Sequence, residues 1–226
     1  LLLLALPLRG EAKDWGGGQD AVHEVRGAWQ VGNAKRVRIT FPVGELEVVA
    51  VDRPTLSADL TVRADDDATD AMIKSARKVR LVATHVGDEL RLKVEGWHVH
   101  FRGSTVLEGR IEVPRDLALR VDMNVGELDV HGFTRDTRIG LGVGELTVGC
   151  DPTRIASIDV DLGIGEGELI EGGQSRQWAG VFGGGFHWDG RAGGAPVKLK
   201  LGVGEASVRL EPADQREAAA RPILRP

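Results

Sequence analysis

The sequence predicts a mainly β protein, more narrowly a single-stranded β-helix (β-solenoid) of about five to seven coils with a small α+β insertion that contains one helix. The first observation is a motif of eight residues that occurs five times. It consists of two spaced apolar residues, Gly-Glu or a related pair, and two more spaced apolar residues. The copies begin at Phe41, Met123, Leu141, Leu162 and Leu201. The second observation is the interval of roughly 20 residues between the later copies, which is typical of a solenoid coil.

The glycine in the middle of each copy predicts a corner. In the best preserved copy, Leu141 and Val143 share one side of a strand, whereas Leu146 and Val148 fall on the opposite parity. A kink at Gly144 would return both pairs to one interior, and glycine tolerates the positive φ that such a kink requires. We therefore expect all four apolar residues to be buried. The same reasoning predicts structural corner glycines at Gly44, Gly126, Gly144, Gly165, Gly184 and Gly204.

The spacing of these glycines predicts how the coils follow one another. From the second glycine to the last, the intervals are 18, 21, 19 and 20 residues, which predicts five consecutive coils over residues 118–210. The copy around Gly184 is degenerate, with Val181, Phe186 and Trp188 at expected apolar positions. Parallel stacking with right-handed coiling follows from the crossover rule, and a β-sandwich is the alternative architecture.

The chain divides into a signal-peptide remnant, a flexible leader, a first coil with the α+β insertion, the remaining coils and a disordered tail. These segments are residues 1–12, 13–34, 35–116, 117–210 and 211–226, and the third and fourth form one continuous domain. An apolar run that ends in small residues up to Ala12 predicts the end of a secretory signal. The protein is then exported to the periplasm or cell envelope, and a retained membrane anchor is the alternative.

The insertion within residues 35–116 breaks the repeat period. We expect a strand over residues 55–64, a helix over residues 68–79 that begins behind three aspartates, and a hairpin through Gly87-Asp88. This unit would cap the open end of the solenoid, where an unpaired strand edge would otherwise pair with other chains.

Composition limits the function. The net charge is −5, with 29 Lys+Arg against 34 Asp+Glu, so the sequence lacks the basic signature of nucleic-acid binding. The 31 glycines and the absence of tyrosine suit a narrow core closed by tight corners. The single cysteine, Cys150, cannot form an internal disulfide and is expected to be a small, partly buried residue. No cofactor is expected.

Acidic residues follow the corner glycines. With strands stacked in register, Glu127, Glu145 and Glu166 would form a column of neighbours about 4.8 Å apart, in line with Glu45 and Glu205. Such a column either points into solvent, where its charges are screened, or binds a hard cation such as Ca²⁺. The solvated column is the simpler interpretation, so no metal site is assigned.

Two other groups of residues have candidate chemistry. Asp159 and Asp161 share one face of a strand, as the two carboxylates of a glycosidase would, but their apolar neighbours point inward and favour a solvated face. His98 and His100 also share a face and could begin a metal site together with His187. Neither pattern assigns a catalytic or metal-binding residue.

A few large aromatic residues remain. Phe186 and Trp188 fall on core positions of the degenerate copy. Trp97 and Trp178 lie outside the pattern, and an exposed pair could stack on a sugar or on a partner's surface. The expected partner is an unidentified envelope protein or glycan, and the ends of the solenoid could also join copies of the chain.

These features together resemble the bacterial "putative adhesin" domain of unknown function. The resemblance is carried by the Gly-Glu corners, by the helix after the aspartates, and by the strand that leads into the repeats; these are Gly44, Gly126, Gly144 and Gly204, Asp67, and Ile111-Glu112-Val113-Pro114. It covers roughly residues 35–210 and implies a right-handed, toast-rack β-helix in exported or envelope-associated proteins, without defining catalytic residues.

The residues and the resemblance lead to one functional expectation. The chain is expected to be a non-catalytic exported scaffold or adhesin-like binding module of the bacterial cell envelope. A carbohydrate-active enzyme built on the same fold and a cation-binding structural domain are the alternatives.

Overall fold

A computed structural model describes residues 20–64, 68–97 and 105–212. These residues form one mixed sheet of eleven strands together with a single helix, so the predicted mainly β class is confirmed. The strands and the helix are β1 Asp20–Gln30, β2 Arg36–Val51, β3 Thr55–Ala64, α1 Asp70–Ala76, β4 Arg80–Val86, β5 Glu89–Glu95, β6 Thr105–Pro114, β7 Ala118–His131, β8 Thr137–Cys150, β9 Ile155–Glu171, β10 Gln174–Asp189 and β11 Ala195–Leu210.

Five long parallel strands form the centre of the sheet, in the order β2, β7, β8, β11 and β9. The repeated motifs of these strands are in register, so the corner glycines lie side by side. Gly44 is opposite Gly126, Gly126 opposite Gly144, Gly144 opposite Gly204, and Gly204 opposite Gly165. All five have φ between 129° and 142°, a region that other residues rarely adopt. Each strand therefore bends at the same level as its neighbours.

The order of the last strands differs from the prediction of consecutive coils. β11 pairs with β8 on one side and β9 on the other, and β10 runs antiparallel to β9. The reversal occurs at Gly172-Gly173, where both residues have positive φ, as in a two-residue hairpin loop. Gly184 consequently lies opposite Leu162 rather than in the glycine column, and the positive φ belongs to Gly183.

The other end of the stack is covered by the insertion. On its side away from β7, β2 pairs with β5 over residues 36–40 and with β6 over residues 45–51. β3 continues the sheet from β6, and β1 continues it from β3. β4 pairs only with β5, and the edge strands β1, β4 and β10 do not pair with one another, so the sheet formed by the described residues is open.

Two boundaries in the first part of the chain are corrected. The predicted flexible leader, residues 13–34, contains β1, which pairs antiparallel with β3 along its whole length. Helix α1 is shorter than the predicted residues 68–79, and its N-cap is Thr69, whose hydroxyl accepts a hydrogen bond from the Met72 N–H. The aspartates at 65–67, the N-terminal segment 1–12 and most of the tail lie outside the described residues.

The interior consists of columns of apolar side chains, one residue from each stacked strand. Around the corner of β8, Ile139, Leu141, Leu146 and Val148 are buried, and each has a counterpart at the same level of the other parallel strands. Fully burying one such aliphatic side chain contributes about 1.5–3 kcal/mol. The stack therefore holds its register through many matched apolar contacts.

The expectation that both apolar residues before each corner are buried is wrong for the second of them. Leu141 is buried, but Val143 is exposed, and its counterparts on the neighbouring strands are exposed too. The bend begins before Gly144, so that two successive residues face outward, as in a β-bulge. The switch in the inward–outward alternation is therefore made by residues that face outward, and the core residues on either side of the corner keep their positions.

The glycine column generates a testable prediction for stability. A Cβ on Gly144 would lie 1.9 Å from the carbonyl oxygen of Gly126, in addition to the strain of a φ of 138°. We expect Gly144→Ala to lower the free energy of unfolding by about 3 kcal/mol or more. The matched control is Gly140→Ala on the same strand, whose Cβ would meet its nearest neighbour at an ordinary 3.6 Å. Equal urea midpoints for the two variants would contradict this role of the corner.

Candidate binding surface at the strand corners

A row of exposed aliphatic side chains runs along the outer side of the corners, and we call it the valine row. Each member lies directly opposite the next on the neighbouring strand. Their exposed fractions range from 39% to 74%, although all are β-branched and apolar. In spatial order the row comprises Val43, Val125, Val143, Val203, Ile164 and Val181.

The surroundings of the valine row make it protrude. On β8, β11 and β9 the preceding residue is a glycine (Gly142, Gly202 and Gly163), and the following residue is the corner glycine. The aliphatic side chains thus stand between two strips of bare backbone. With six strands about 4.8 Å apart, the row is about 24 Å long. A continuous apolar strip of this kind on a protein surface is typical of an interaction site.

A second row, the glutamate column, runs parallel to the first and immediately beyond the corner glycines. It comprises Glu45, Glu127, Glu145, Glu205 and Glu166 in spatial order. The predicted column exists, but Glu205 lies between Glu145 and Glu166 because β11 is inserted there.

Most of the glutamate column is not neutralised within the described part of the chain. Glu127, Glu145, Glu205 and Glu166 are exposed and have neither a hydrogen bond nor an ion pair there. Elsewhere on the sheet, carboxylates are commonly paired with an arginine on an adjacent strand. Arg63 Nε, for example, lies 2.7 Å from the Glu108 carboxylate. The unpaired column is thus a local concentration of negative charge.

A groove of about 520 Å³ lies on the acidic side of the corners, across β8, β11, β9 and β10. Glu145, Glu205 and Glu166 line it together with Trp178. Another of its acids, Glu168, accepts a hydrogen bond from the Ser207 hydroxyl at 3.1 Å. The groove therefore offers three uncompensated carboxylates on adjacent strands, an arrangement that suits a cationic side chain.

Trp178 also has a structural role that the sequence did not reveal. Gly167 occupies an inner position filled by leucine or alanine on the other parallel strands, and a Cβ there would lie 2.3 Å from the Trp178 indole. The indole covers that position and stacks on Phe186, with ring centroids 4.8 Å apart. Its Nε1 is buried without a hydrogen-bond partner among the described residues. Trp178 substitutes for the side chain that Gly167 lacks.

The two predicted surface tryptophans are not brought together. Trp97 follows β5 at one end of the parallel stack, and Trp178 lies on β10 at the other end. Both are partly buried and pack against the core. The strands β2, β7, β8, β11 and β9 lie between them, which corresponds to about 29 Å. One small ligand cannot contact both rings.

Asp159 and Asp161 lie on the outer face of β9, in the part of the strand that precedes the corner at Gly165. Asp159 Oδ1 lies 2.6 Å from His187 Nδ1, and Asp161 Oδ2 lies 3.9 Å from Lys200 Nζ. His187 Nε2 is also 2.9 Å from Asp189. Hydrogen bonds to Asp159 and then to Asp189 raise the pKa of the His187 imidazole above its usual range. These groups form an exposed cross-strand cluster rather than a cleft.

The remaining candidates of the sequence are placed as follows. Cys150 is buried at the end of β8. His98 and His100 lie outside the described residues. Within residues 20–64, 68–97 and 105–212, no group of three or more His, Cys, Asp or Glu is arranged to hold a metal ion. No helix in these ranges is long and apolar enough to cross a membrane.

Comparison with known proteins shows a likeness of fold. No family model and no curated protein matches the sequence. A crystal structure of a putative cell adhesion protein from Clostridium sporogenes has a TM-score of 0.52 and 12% identity, over 84% of this chain and 99% of that chain. A putative lipid binding protein from Parabacteroides distasonis has a TM-score of 0.24 and 12% identity, over 60% of this chain and 56% of that chain. A putative adhesin from Bacteroides fragilis also has a TM-score of 0.24, with 10% identity over 84% of this chain and 97% of that chain.

Only the first of these structures is similar enough to carry an argument. The match covers 99% of that protein's own chain and shows a similar fold. Because the identity is low, the likeness concerns the fold alone.

Sequence reasoning missed the valine row, although a signal was present. A β-branched residue precedes the corner glycine in every one of the five copies, as Val143 does in the best preserved one. Strict alternation of inward and outward residues, continued through the motif, predicts a core position for each of them. A bend that starts one residue earlier turns the same residues outward.

The relation between Trp178 and Gly167 generates a prediction. Gly167→Leu alone should destabilise the protein because the new side chain collides with the indole, and Trp178→Ala alone should leave a void costing about 2–4 kcal/mol. The double variant should recover at least half of the summed loss, since leucine then fills the inner position. Urea midpoints of the four proteins measure the coupling. Additive losses would contradict the substitution of one side chain for the other.

The His187 cluster generates a second prediction. Because the folded-state pKa of His187 is raised above the ordinary 6.5, the contacts with Asp159 and Asp189 stabilise the protein fully below about pH 6.5. Their contribution is lost as the pH rises through the folded-state pKa. The difference in urea midpoint between the native chain and His187→Gln should therefore shrink as the pH is raised above about 6.5. In Asp159→Asn/Asp189→Asn, the same comparison should show no such trend.

Proposed function

We propose that this protein is a non-catalytic, exported binding module of the bacterial cell envelope with an adhesin-like role. The observation that carries the proposal is the valine row. A continuous line of six exposed aliphatic residues is costly to leave in water, and the repeat places one on every strand of the stack. Contact with a partner would remove that surface from water.

The scaffold suits such a role. Five parallel strands in register present identical corners at a constant spacing, in the manner of a solenoid, and this rigidity lowers the entropy lost on binding. The fold is shared with a protein described as a putative cell adhesion protein, which supports an adhesin-like role here. A row of small equivalent contacts favours weak, multivalent attachment.

A binding role accounts for the polar residues better than catalysis does. The two aspartates that could serve a glycosidase, Asp159 and Asp161, lie on an open face beside His187 and Lys200. The groove is formed by the parts of the strands that follow the corner glycines. Its acids are stacked on adjacent strands rather than placed across a cleft. This arrangement supports electrostatic recognition.

Export is the part of the proposal that rests on the sequence. The apolar run that ends near Ala12 supports a secretory signal. Expressing the full chain with and without residues 1–12 and fractionating the cells would test it. Equal amounts in the cytoplasm from both forms would show that residues 1–12 do not act as an export signal by themselves.

The proposed adhesin-like role predicts the effect of a conservative change on the valine row. Val125→Thr/Val143→Thr/Val203→Thr keeps the β-branched shape and replaces three exposed methyl groups by hydroxyls. We expect the free energy of unfolding, measured by urea denaturation, to remain within about 0.5 kcal/mol of the native value, because surface changes are usually mild. Retention of the labelled protein on isolated bacterial envelopes should fall about tenfold or more.

The control is Val86→Thr, since Val86 is 47% exposed on β4 and lies away from the row. It should retain native binding. If the triple variant binds envelopes as the native chain does, the row is not the attachment surface.

A further inference from the structure

We infer, as an extension of the proposed binding function, that the valine row and the glutamate column together dock a basic amphipathic helix of a partner protein. The apolar stripe of that helix packs on the valine row. Its lysine or arginine residues, on one flank of the stripe, face the glutamate column.

Charge complementarity identifies the sign of the partner. Glu127, Glu145, Glu205 and Glu166 stand on adjacent strands about 4.8 Å apart and make no ion pair with a lysine or arginine in the described part of the chain. Like charges opposite one another on adjacent strands are destabilising. A docked cation relieves this repulsion, so the glutamate column attracts a basic partner and repels an acidic one.

The order of the two rows determines the pattern of the partner. Val143 and Glu145 are separated by the corner glycine alone, and both are exposed on the outer side of the bend. A partner on the valine row therefore brings its flank directly over the carboxylates. The groove lined by Glu145, Glu205 and Glu166 lies on that same flank and can receive a long basic side chain.

Spacing favours a helix over an extended strand. The row repeats about every 4.8 Å along the stack. A helix presents its stripe once per turn of 5.4 Å, whereas an extended chain repeats on one side only about every 6.8 Å. A row about 24 Å long matches a helix of about 16 residues, at 1.5 Å per residue.

The area argues against a second copy of this chain as the occupant. Six side chains, roughly half exposed, present on the order of 400 Å², whereas each partner in a standard stable complex buries about 800 Å². A second copy also carries the same net charge of −5. A single helix of opposite charge fits the row better.

The test uses a fluorescein-labelled synthetic helix of about 18 residues, with leucines on one stripe, lysines along one flank and alanines elsewhere. We expect fluorescence anisotropy to show micromolar binding to the full chain, weakened at least tenfold between about 0.05 M and 0.5 M salt. Val125→Thr/Val143→Thr/Val203→Thr should weaken binding about tenfold or more, and Glu127→Gln/Glu145→Gln/Glu205→Gln should do so at low salt.

Matched variants and peptides decide what the binding means. Val86→Thr and Asp70→Asn/Asp116→Asn, which lie off both rows, should bind as the native chain does. A peptide with glutamate in place of lysine should not bind, and one with the same composition but no stripe should bind at least tenfold more weakly. Equal binding of either peptide overturns the proposal.

Two further outcomes would assign the surface to other occupants and also overturn it. A dimer of the native chain that is lost in the valine-row variant would identify a second copy. Tighter peptide binding after removal of residues 213–226 would identify the chain's own tail. Where envelope attachment requires the valine row but no basic helix binds, the adhesin-like function stands and this inference alone is wrong.

Discussion

The structure depends on the absence of a Cβ atom at five stacked corners. At each of these glycines, an added Cβ would lie 1.8–2.0 Å from a carbonyl oxygen of the neighbouring strand, closer than any real contact. The backbone also has a positive φ there. The strand spacing, the bend and the register therefore all require that the residue at each corner has no Cβ atom. Neighbouring strands can approach and turn together only if all of them bend at the same level.

The same corner that shapes the interior also creates the outer surface. Because the bend starts before Gly144, Val143 and Glu145 both face outward, while Leu141 and Leu146 remain in the core. Stacking in register repeats this arrangement on each parallel strand and converts single residues into two continuous rows. The apolar row and the acidic row are thus consequences of one backbone feature, which links the packing of the sheet to its proposed binding function.

The two ends of the parallel stack are closed by different means. At β2, the insertion supplies two shorter strands, β5 and β6, which cover the edge above and below the corner. At β9, the chain reverses at Gly172-Gly173, and β10 pairs antiparallel. There Trp178 covers Gly167 and rests on Phe186, so aromatic rings from the edge strand fill an inner column that the repeat leaves empty. Both devices protect backbone groups that would otherwise pair with other chains.

Local pattern alone determined the mainly β class, the corner at Gly144 and the alignment of the acids, because alternation and glycine spacing are properties of each copy. The order of the strands was decided by tertiary structure. Residues 141–145 and 201–205 have the same sequence, and they lie side by side although 60 residues separate them along the chain. Any copy can pair with any other, so the spacing of the copies could not show that β11 enters between β8 and β9. The exposure of Val143 was also beyond the sequence, since it depends on how the neighbouring backbones bend together.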